Sequence, residues 1–281
     1  MITIKPLTLS LVIPVYNEEH HIGPCLDAIA AQTDKPDEVI VVDNNSSDKT
    51  LEIAKLYPFV SILTEKKQGV VHARNTGFNA ARGDVIARID ADTLLPPNWT
   101  GSIRKAFNNQ KTDAVTGPVY YYDMPFSSVN YRLDHFFRSI MNIRMEQFPF
   151  LYGSNMAIRR SAWKLVADKT CVAKKVHEDL DLAIHLQEAG YGITYRPDMR
   201  GGVSARRYDD TLNDFSLYMK MYVHTYKAHE RQGLMPFVAM TAYTTGYIAL
   251  QPLRRSYDPK TGKRSIKQLV RGHTPRKNPA A

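Results

Sequence analysis

Cysteine is scarce in this chain. Cys25 and Cys171 are the two cysteines in 281 residues, and they lie far apart in the sequence. No disulfide framework is implied, so a reducing cytosol is the expected environment. The nine histidines show none of the spacings typical of zinc sites. Neither cysteine has a neighbour in the sequence that would suit nucleophilic chemistry.

Two glycine-rich phosphate-binding motifs are also missing. No Gly-x-Gly-x-x-Gly follows the first apolar run, and no Gly-x-x-x-x-Gly-Lys-Ser/Thr occurs anywhere. A dinucleotide site or P-loop of the usual kind is therefore disfavoured. The first apolar run, "LTLSLVIPVY", ends at Asn17-Glu18-Glu19 without a small-residue cleavage site. We expect this run to be a first β-strand and not a signal peptide.

Most of the chain has almost no net charge. The formal charge is +9, yet residues 252–281 hold nine Lys/Arg and one Asp, against 28 Lys/Arg and 27 Asp/Glu elsewhere. The body is thus almost neutral, and the end is a basic arm. Such an arm suits an anionic membrane surface. The alternative is a solvated, disordered tail. We expect no nucleic-acid partner.

Strand and helix patterns alternate over the first hundred residues. Strands are predicted at 7–16, 37–43, 59–65 and 84–90, and helices at 18–32, 49–57 and 70–82. The strands are short, β-branched and apolar on both faces, which is typical of a covered parallel sheet. The alternation predicts a doubly wound α/β fold, whose ligands bind beyond the carboxyl ends of the strands. Asn17, Asp43 and Asp90 each close one strand.

The later part of the chain is more helical. Helical spacing of apolar residues runs from Val129 to Ile143, and further helices are predicted at 177–190 and 212–232. The 22 residues from Gln232 to Leu253 carry no charge. This stretch is long enough to span a bilayer, but prolines, threonines and a glycine dilute it. We expect an interfacial or re-entrant segment; packing against the protein's own core is the alternative.

The segment "GDVIARIDADTLLPPNW" ends an apolar strand on two acids, Asp90 and Asp92. Strand alternation places both on one side, about 7 Å apart. Hard divalent ions take oxygen ligands and leave room for phosphate oxygens. The Asp-Ala-Asp pattern therefore indicates a metal-bound diphosphate. The alternative is an aspartate-rich turn in which Asp92 caps the chain before two prolines.

Five segments occur in a characteristic order: "IPVYNEE", "VVDNNSSDKT", "GVVHARNTGFNAARGD" before the Asp-Ala-Asp strand, "YGSNMAIRR" and "HEDLDLAIHLQEAGY". From about Leu9 to about Arg207, the chain resembles the family 2 glycosyltransferases of GT-A fold. The resemblance implies a Rossmann-like α/β domain with a mixed, mostly parallel sheet and helices on both faces. It also implies inverting transfer of a sugar from a nucleoside diphosphate sugar to an acceptor hydroxyl, with Mg²⁺ or Mn²⁺. A UDP-sugar is favoured as the commoner donor, and polyprenyl-linked or cell-envelope acceptors are considered.

The resemblance also implies roles for individual residues. Nucleotide contacts are implied for Pro14, Tyr16, Asn17, Glu18, Asp43, Asn44, Arg74, Asp90 and Ala91. Metal binding is implied for Asp92 and Asp90, and contacts to the donor sugar and acceptor for Gly153, Ser154 and Asn155. Asp179 is the implied general base, which would take the proton of the attacking hydroxyl, and its neighbour Glu178 is the alternative. The cation would stabilise charge on the leaving diphosphate.

Most of these residues also have a structural interpretation. Asp43 and the polar residues after it could cap the helix that follows. Glu18, Glu178 and Asp179 could be first-turn acids that favour a helix dipole. Arg74 could lie on a helix surface. The tyrosines at 120–122 are more typical of packing than of a sugar platform.

One segment departs from the family pattern. Many relatives carry a histidine after the catalytic base, whereas "RGGVSARRYDD" has none, so a third protein ligand for the metal stays open. Arg206 and Arg207 are candidates to meet the diphosphate, because guanidinium groups bind phosphate oxygens well. A basic surface loop is the alternative.

Three regions are expected: a GT-A domain at 1–211, a helical extension at 212–253 and a flexible basic tail at 254–281. The domain would have a nucleotide-binding half at 1–100 and an acceptor half at 101–211. We expect a cytoplasmic protein, peripheral on the cytoplasmic face of a membrane. Two other functions remain. A sugar nucleotidyltransferase would need a glycine-rich basic signature that is missing, and a non-catalytic binding module would need neither Asp92 nor Asp179.

Overall fold

A computed structural model of the chain describes residues 6–143, 149–172, 176–231, 233, 235–259, 261–266 and 269. Its strands are β1 (Leu9–Val15), β2 (Glu38–Asp43), β3 (Val60–Thr64), β4 (Val85–Arg88), β5 (Ala114–Thr116), β6 (Val119–Tyr121), β7 (Met156–Arg159), β8 (Ile193–Tyr195), β9 (Gly201–Val203), β10 (Tyr257–Asp258) and β11 (Lys263–Arg264). Its helices are α1 (Ile22–Ala30), α2 (Thr50–Ala54), α3 (Val70–Ala80), α4 (Trp99–Phe107), α5 (Ser127–Ile143), α6 (Arg160–Val166), α7 (Glu178–Glu188), α8 (Leu212–Ala228) and α9 (Met235–Ser256). Short 3-10 turns follow at Ala167–Lys169 and Arg206–Asp209.

Seven strands form one sheet in the order β3-β2-β1-β4-β7-β5-β8. Every neighbouring pair is parallel except the two pairs that involve β7, which runs antiparallel to β4 and β5. The predicted mixed, mostly parallel sheet is therefore confirmed. In the register, Val15 of β1 lies opposite Asp43 of β2, so their carboxyl ends meet at one edge.

The core has two layers, one on each face of the sheet. Alternate residues of β1 point to opposite faces, which is the period-two pattern of a strand. Leu11 and Ile13 join one cluster together with Trp99 of α4, and Val12 joins the other with Trp163 of α6. Because both faces are apolar, helices cover both, as the continuous apolar strands predicted.

Glycine residues mark one end of each of two helices near the site. Gly69, with φ of 138°, precedes α3, and Gly190, with φ of 83°, follows the end of α7. Such backbone angles cost glycine little and other residues more. The predicted helix at 18–32 is shorter in the structure: α1 begins at Ile22 and ends at Ala30.

The C-terminal helices pack on each other and on the domain. Tyr247 of α9 is 1% exposed and stacks on Phe215 of α8 with ring centroids 4.1 Å apart. The predicted start of the flexible tail at 254 does not match the structure, because α9 continues to Ser256 and Arg254 is buried. Its guanidinium pairs with Asp209 at 2.9 Å and with Asp123 at 3.2 Å. Residues 260, 267, 268 and 270–281 of the predicted tail lie outside the described residues.

Over the part of the chain that the structure describes, no helix combines the length and apolar character that crossing a bilayer requires.

Candidate active site

A cleft of about 230 Å³ lies at the carboxyl ends of β1, β2 and β4. Many residues singled out from the sequence line it: Pro14, Tyr16, Glu18, Asn44, Asp90, Ala91, Asp92, Gly153, Ser154, Glu178, Asp179, Arg206 and Arg207. Asn17, Asp43, Arg74 and Asn155 do not line it. The opposite wall comes from the loop before β7, the start of α7 and one face of α8. The fold thus collects segments that are far apart in the sequence around one space.

Arg88 lines the cleft, and the sequence analysis missed it. It is 2% exposed near the end of β4, and its guanidinium pairs with Glu178 through Nη1 and with Asp90 through Nη2, the latter at 3.0 Å. Burial lowers the pKa of an arginine, but these two carboxylates outweigh burial and raise the pKa of Arg88 above its ordinary value. An arginine inside the apolar run "DVIARID" was the available signal, because a buried charge needs a partner.

Glu178 is held by two buried arginines. Arg74 is fully buried and donates from Nη1 to the Glu178 carboxylate at 3.0 Å and to its backbone carbonyl at 2.8 Å. Arg88 binds the other carboxylate oxygen. Arg74 therefore does not lie on a helix surface. It reaches the cleft indirectly, through Glu178.

Asp179 faces the cleft next to Glu178 but has different partners. Its Oδ1 lies 2.8 Å from Nδ1 of His177, and its Oδ2 accepts from the Gly153 N–H at 3.1 Å. Burial would raise the pKa of Asp179, but His177, Arg88 and the Gly153 N–H together hold it well below its usual range. The carboxylate is therefore ionised throughout the neutral pH range. Oδ1 also accepts from the Leu180 N–H at 2.8 Å, so Oδ2 is the oxygen that keeps acceptor capacity for a further partner.

Asp90 and Asp92 both stand at the end of β4. The Asp90 side chain is 47% exposed, whereas Asp92 is buried and pairs with Nε of Arg206 at 2.8 Å. Arg206 also pairs with Glu18 at 2.6 Å, so it does not belong to a detached surface loop. Burial lowers the pKa of Arg206, but Asp92 and Glu18 outweigh burial and raise it. Arg206 is thus a cationic bridge between two acidic segments of the cleft.

The carboxylates of Asp90 and Asp92 fit a hard divalent cation, because carboxylate oxygens are its preferred ligands. Each acid already has an arginine neighbour, Arg88 and Arg206 respectively. A cation at Asp92 would compete with Arg206 for that carboxylate. His21, to which the sequence analysis assigned nothing, lies beside this group, with Nδ1 3.4 Å from Nη1 of Arg206.

Arg207 and the tyrosines of the cleft form its aromatic side. The Arg207 guanidinium lies 3.7 Å from the ring centroid of Tyr218, on α8. Tyr121 lines the cleft and packs edge-to-face on Tyr208 at 5.6 Å. The Tyr122 hydroxyl donates to the Asp92 carbonyl at 3.0 Å. Tyr122 thus supports the Asp-Ala-Asp backbone.

Asn44 positions a loop, and Asn17 joins two strand ends. Asn44 donates from Nδ2 to the carbonyls of Glu65 and Lys67, at 2.9 and 2.8 Å, and accepts from the Gly69 N–H at 2.7 Å. Asn17, with φ of 53°, accepts from the backbone of the loop after β2.

The cap interpretation of residues 43–48 is partly right. Asp43 Oδ1 accepts from the Ser46 N–H at 3.1 Å within a turn. Asp48 accepts from the Thr50 N–H, the first residue of α2, at 2.9 Å. Asp43 therefore shapes the turn that follows β2.

Asn155 is a structural centre behind the cleft. It is 0% exposed and accepts from the Trp99 indole N–H at 2.8 Å. Its Nδ2 donates to the carbonyls of Pro118 and Met199, at 3.0 and 2.8 Å. Its side-chain amide is occupied by these three bonds, which disfavours the contact from this amide to sugar that the resemblance implies.

Comparison with known proteins identifies the family of this chain. The profile of the family described as Glycosyl transferase family 2 matches residues 10–166. Glycosyltransferase AglE of Haloferax volcanii is 30% identical over 213 residues, which cover 73% of this chain and 69% of AglE. The chain belongs to glycosyltransferase family 2. This membership sets aside the nucleotidyltransferase alternative and confirms the family resemblance.

The chain is also similar to another curated transferase and to a solved mannosyltransferase structure. Undecaprenyl-phosphate 4-deoxy-4-formamido-L-arabinose transferase of Pectobacterium carotovorum is 31% identical over 175 residues, 59% of this chain and 47% of that protein. The mannosyltransferase PcManGT of Pyrobaculum calidifontis, solved with GDP-Man and Mn²⁺, superposes with a TM-score of 0.61 at 19% identity. The superposition covers 95% of this chain and 78% of PcManGT. That likeness supports the GT-A fold.

Proposed function

We propose that this protein is an inverting, metal-dependent glycosyltransferase that moves a sugar from a nucleoside diphosphate sugar to an acceptor hydroxyl. One observation carries the proposal. A single cleft is lined by the Asp-Ala-Asp segment at the end of β4 and by the Asp179 carboxylate at the start of α7. A site for the leaving diphosphate and a base for the acceptor are the two parts that such a transfer requires.

Asp179, and not Glu178, is the proposed general base. Both residues line the cleft, but both carboxylate oxygens of Glu178 are engaged by buried arginines, whereas Asp179 accepts from His177 and from the Gly153 N–H. Its lowered pKa keeps Asp179 ionised at neutral pH, the form that accepts a proton, but also makes it a weak base. The assignment therefore rests on the position of Asp179 in the cleft. Glu178, neutralised by two cations, is a poor nucleophile, and this supports direct displacement with inversion.

Asp90 and Asp92 are the proposed residues that hold Mg²⁺ or Mn²⁺. A bound divalent cation supplies Lewis-acid stabilisation of the charge that gathers on the diphosphate. Arg206 and Arg207 line the same cleft and are proposed to bind phosphate oxygens, a role that planar guanidinium groups suit. Arg206 would then exchange its contact with Asp92 for one with the diphosphate.

The nucleotide is proposed to lie along the ends of β1 and β2. Pro14, Tyr16, Asn44 and Ala73 line that end of the cleft. Asp43 is proposed to act from the turn behind them. We propose a UDP-sugar as the donor. PcManGT was solved with GDP-Man, so a guanine nucleotide is the principal competitor.

The acceptor is proposed to be lipid-linked and reached at a membrane surface. The described part of α5 exposes an apolar row at helical spacing: Val129, Leu133, Phe136, Ile140 and Ile143 are 48–79% exposed. On α9, Phe237, Val238 and Ile248 are 47–56% exposed. The name of the undecaprenyl-phosphate 4-deoxy-4-formamido-L-arabinose transferase relative includes a polyprenyl lipid, which supports this proposal. A peripheral position on the cytoplasmic face of the membrane accords with the basic arm.

The first experiment is a thermal-shift panel of UDP, GDP, dTDP, CMP and their common sugars, with and without Mn²⁺. A ligand that binds only the folded state stabilises it by about 2.7 kcal/mol at a hundred times its Kd, so a shift of several degrees in Tm is expected. The shift should require Mn²⁺, disappear in Asp92→Asn and persist in Asp179→Asn. The control is Asp168→Asn, at an exposed position.

Turnover separates binding from catalysis. With the donor so identified, Asp179→Asn should lose about 10²–10⁴-fold in kcat with little change in the donor KM. The anomeric configuration of the first product, read by NMR, should be inverted. Absence of a shift with every nucleotide would contradict the proposed donor site, and a retained configuration would refute direct displacement.

A further inference from the structure

A second group of metal-ligating side chains lies further along α7. Ligand atoms of Cys171, Asp181, His185 and His229 all lie within 4.8 Å of one another. None of the four lines the cleft. Asp181 and His185 stand one turn apart on α7, Cys171 follows the turn after α6, and His229 directly follows α8. Three separate segments therefore converge on one point.

The two imidazoles point the same way. Nε2 of His229 lies 2.8 Å from the Asp181 carboxylate, and Nε2 of His185 lies 3.6 Å from it. Their opposite nitrogens, Nδ1 in both cases, lie 3.7 and 3.5 Å from the Glu188 carboxylate. Metal-bound histidines have this arrangement: one nitrogen faces the ion and a carboxylate behind the ring orients the other.

Burial adds an independent sign of a ligand. The Asp181 side chain is fully buried, and the His229 side chain is 5% exposed. Nε2 of His185 is buried, faces the group and has no hydrogen-bond partner. A buried polar atom without a partner is costly, and a cation between these groups would satisfy it.

We propose that Cys171, Asp181, His185 and His229 bind one Zn²⁺ ion. Thiolate, imidazole and carboxylate are the zinc ligands, and four protein ligands make a closed, structural site. Thiolate and imidazole disfavour Mg²⁺ and Ca²⁺, which prefer oxygen. With bonds of about 2.0–2.3 Å, ligand atoms of a tetrahedral zinc lie roughly 3.5 Å apart, so the group needs to contract by about 1 Å.

The zinc would fasten the helix that carries the proposed base. α7 begins at Glu178 and contains Asp179, Asp181 and His185. A zinc ion bound by Asp181 and His185 would therefore connect the first turns of α7 to His229 after α8 and to Cys171. This zinc site is independent of the proposed function. It differs in chemistry from the carboxylate pair at the end of β4, so the two can be tested separately.

Cobalt is the probe of choice, because Co²⁺ replaces zinc and a cobalt–thiolate bond gives a charge-transfer band in the near ultraviolet. The full chain is stripped with a chelator and titrated with Co²⁺ alone. One equivalent should produce the charge-transfer band together with the visible bands of tetrahedral cobalt, and Zn²⁺ should abolish both. The band should disappear in Cys171→Ser and weaken in His185→Gln and His229→Gln.

Two controls should leave the cobalt spectrum unchanged. His224→Gln alters an exposed histidine on α8, and Asp92→Asn alters the carboxylate site. Zinc should also raise the Tm of the metal-free wild-type protein. This measurement does not depend on whether any variant folds. A cobalt spectrum without a thiolate band in wild type, or a band that survives Cys171→Ser, would overturn the proposal and leave a hydrogen-bonded cluster.

Discussion

At the scale of single residues, Arg88 organises the acids of the cleft. It lies between Glu178 and Asp90, which are 88 positions apart in the sequence, and neutralises both. Gly153 makes this possible, because a side chain there would occupy the space of the guanidinium. The same glycine donates its N–H to Asp179. Gly153 thus leaves space for the arginine and also bonds the proposed base.

Gly153→Ala is expected to lower activity sharply. The added Cβ collides with the Arg88 guanidinium, which cannot move without releasing Glu178 or Asp90. We expect kcat to fall at least about tenfold, with a reduced Tm, in assays of sugar transfer and thermal unfolding. The matched control is Gly246→Ala in α9, where an added Cβ meets nothing within 4 Å. That control should gain up to about 1 kcal/mol in helix stability and keep its activity. Equal activities of the two variants would contradict the packing argument.

The depressed pKa of Asp179 predicts a pH-dependent stability. A carboxylate with a lowered folded pKa contributes stability that is present above its unfolded value of 3.8 and is lost as the pH falls toward the folded value. Asp179→Asn should therefore be less stable than wild type at neutral pH, and the gap should narrow below about pH 4. Urea unfolding across pH measures the gap. Asp168→Asn, at an exposed position, should show no such narrowing. A gap that is constant with pH would contradict the assigned pKa direction.

At the scale of elements, α8 is a wall of the cleft and not a separate extension. Its Tyr218 and Met221 line the cleft, so the expected domain boundary at 211 and 212 divides the site. The Thr225 hydroxyl accepts from the His177 N–H at 2.8 Å, and the Tyr222 ring packs on the His177 ring at 4.4 Å. Because His177 in turn bonds Asp179, α8 positions the proposed base.

Thr225→Val should weaken that connection. Valine keeps the shape but leaves the buried His177 N–H without an acceptor, at a cost of about 1–3 kcal/mol. We expect a lower Tm and a reduced kcat, measured on the same preparation. Thr241→Val is a matched control, because the Thr241 hydroxyl also bonds a carbonyl four residues back but lies on the exposed side of α9. Its change should stay within about 0.5 kcal/mol. Similar losses in both variants would point to helix propensity and not to the His177 contact.

At the scale of the whole molecule, charge and apolar exposure are unevenly distributed. The basic residues concentrate after residue 251, and exposed apolar side chains recur on α5, α8 and α9. An anionic surface attracts such a basic segment by about 1 kcal/mol for each Lys or Arg near it. Exposed apolar side chains add contact with the interface. These two features are the basis of the proposal that the protein attaches to a membrane surface.

Flotation with anionic vesicles tests this attachment. Wild type should float at low salt and less at high salt, because screening weakens the attraction. The variant Phe237→Gln, Val238→Gln, Ile248→Gln should float less, while its stability stays near that of wild type because these side chains are exposed. The control is Leu56→Gln with Leu165→Gln, which alters two apolar side chains that are 75% and 62% exposed elsewhere on the surface. Wild-type protein that remains at the bottom of the gradient would refute the membrane proposal.

The sequence by itself determined the first four strands, the helices between them and the acids at the strand ends. Periodicity and turn residues are local, so β1, β2 and β4 lie where the apolar runs predicted, and Asp90 and Asp92 line a cleft at the end of β4. Parallel pairing then brings the ends of β1 and β2 to one edge. These features depend on neighbours within a few residues, so they can be predicted from local sequence patterns.

Only the tertiary structure decided which distant groups meet. Arg88 pairs with Glu178 across 90 positions, and Arg206 pairs with Asp92 across 114. His229 reaches Asp181 across 48 positions, although no histidine spacing suggested a shared site. Burial makes each of these contacts necessary, because a charge removed from water needs an opposite charge or a donor. Which partner supplies it depends on the path of the whole chain, and no local pattern encodes that path.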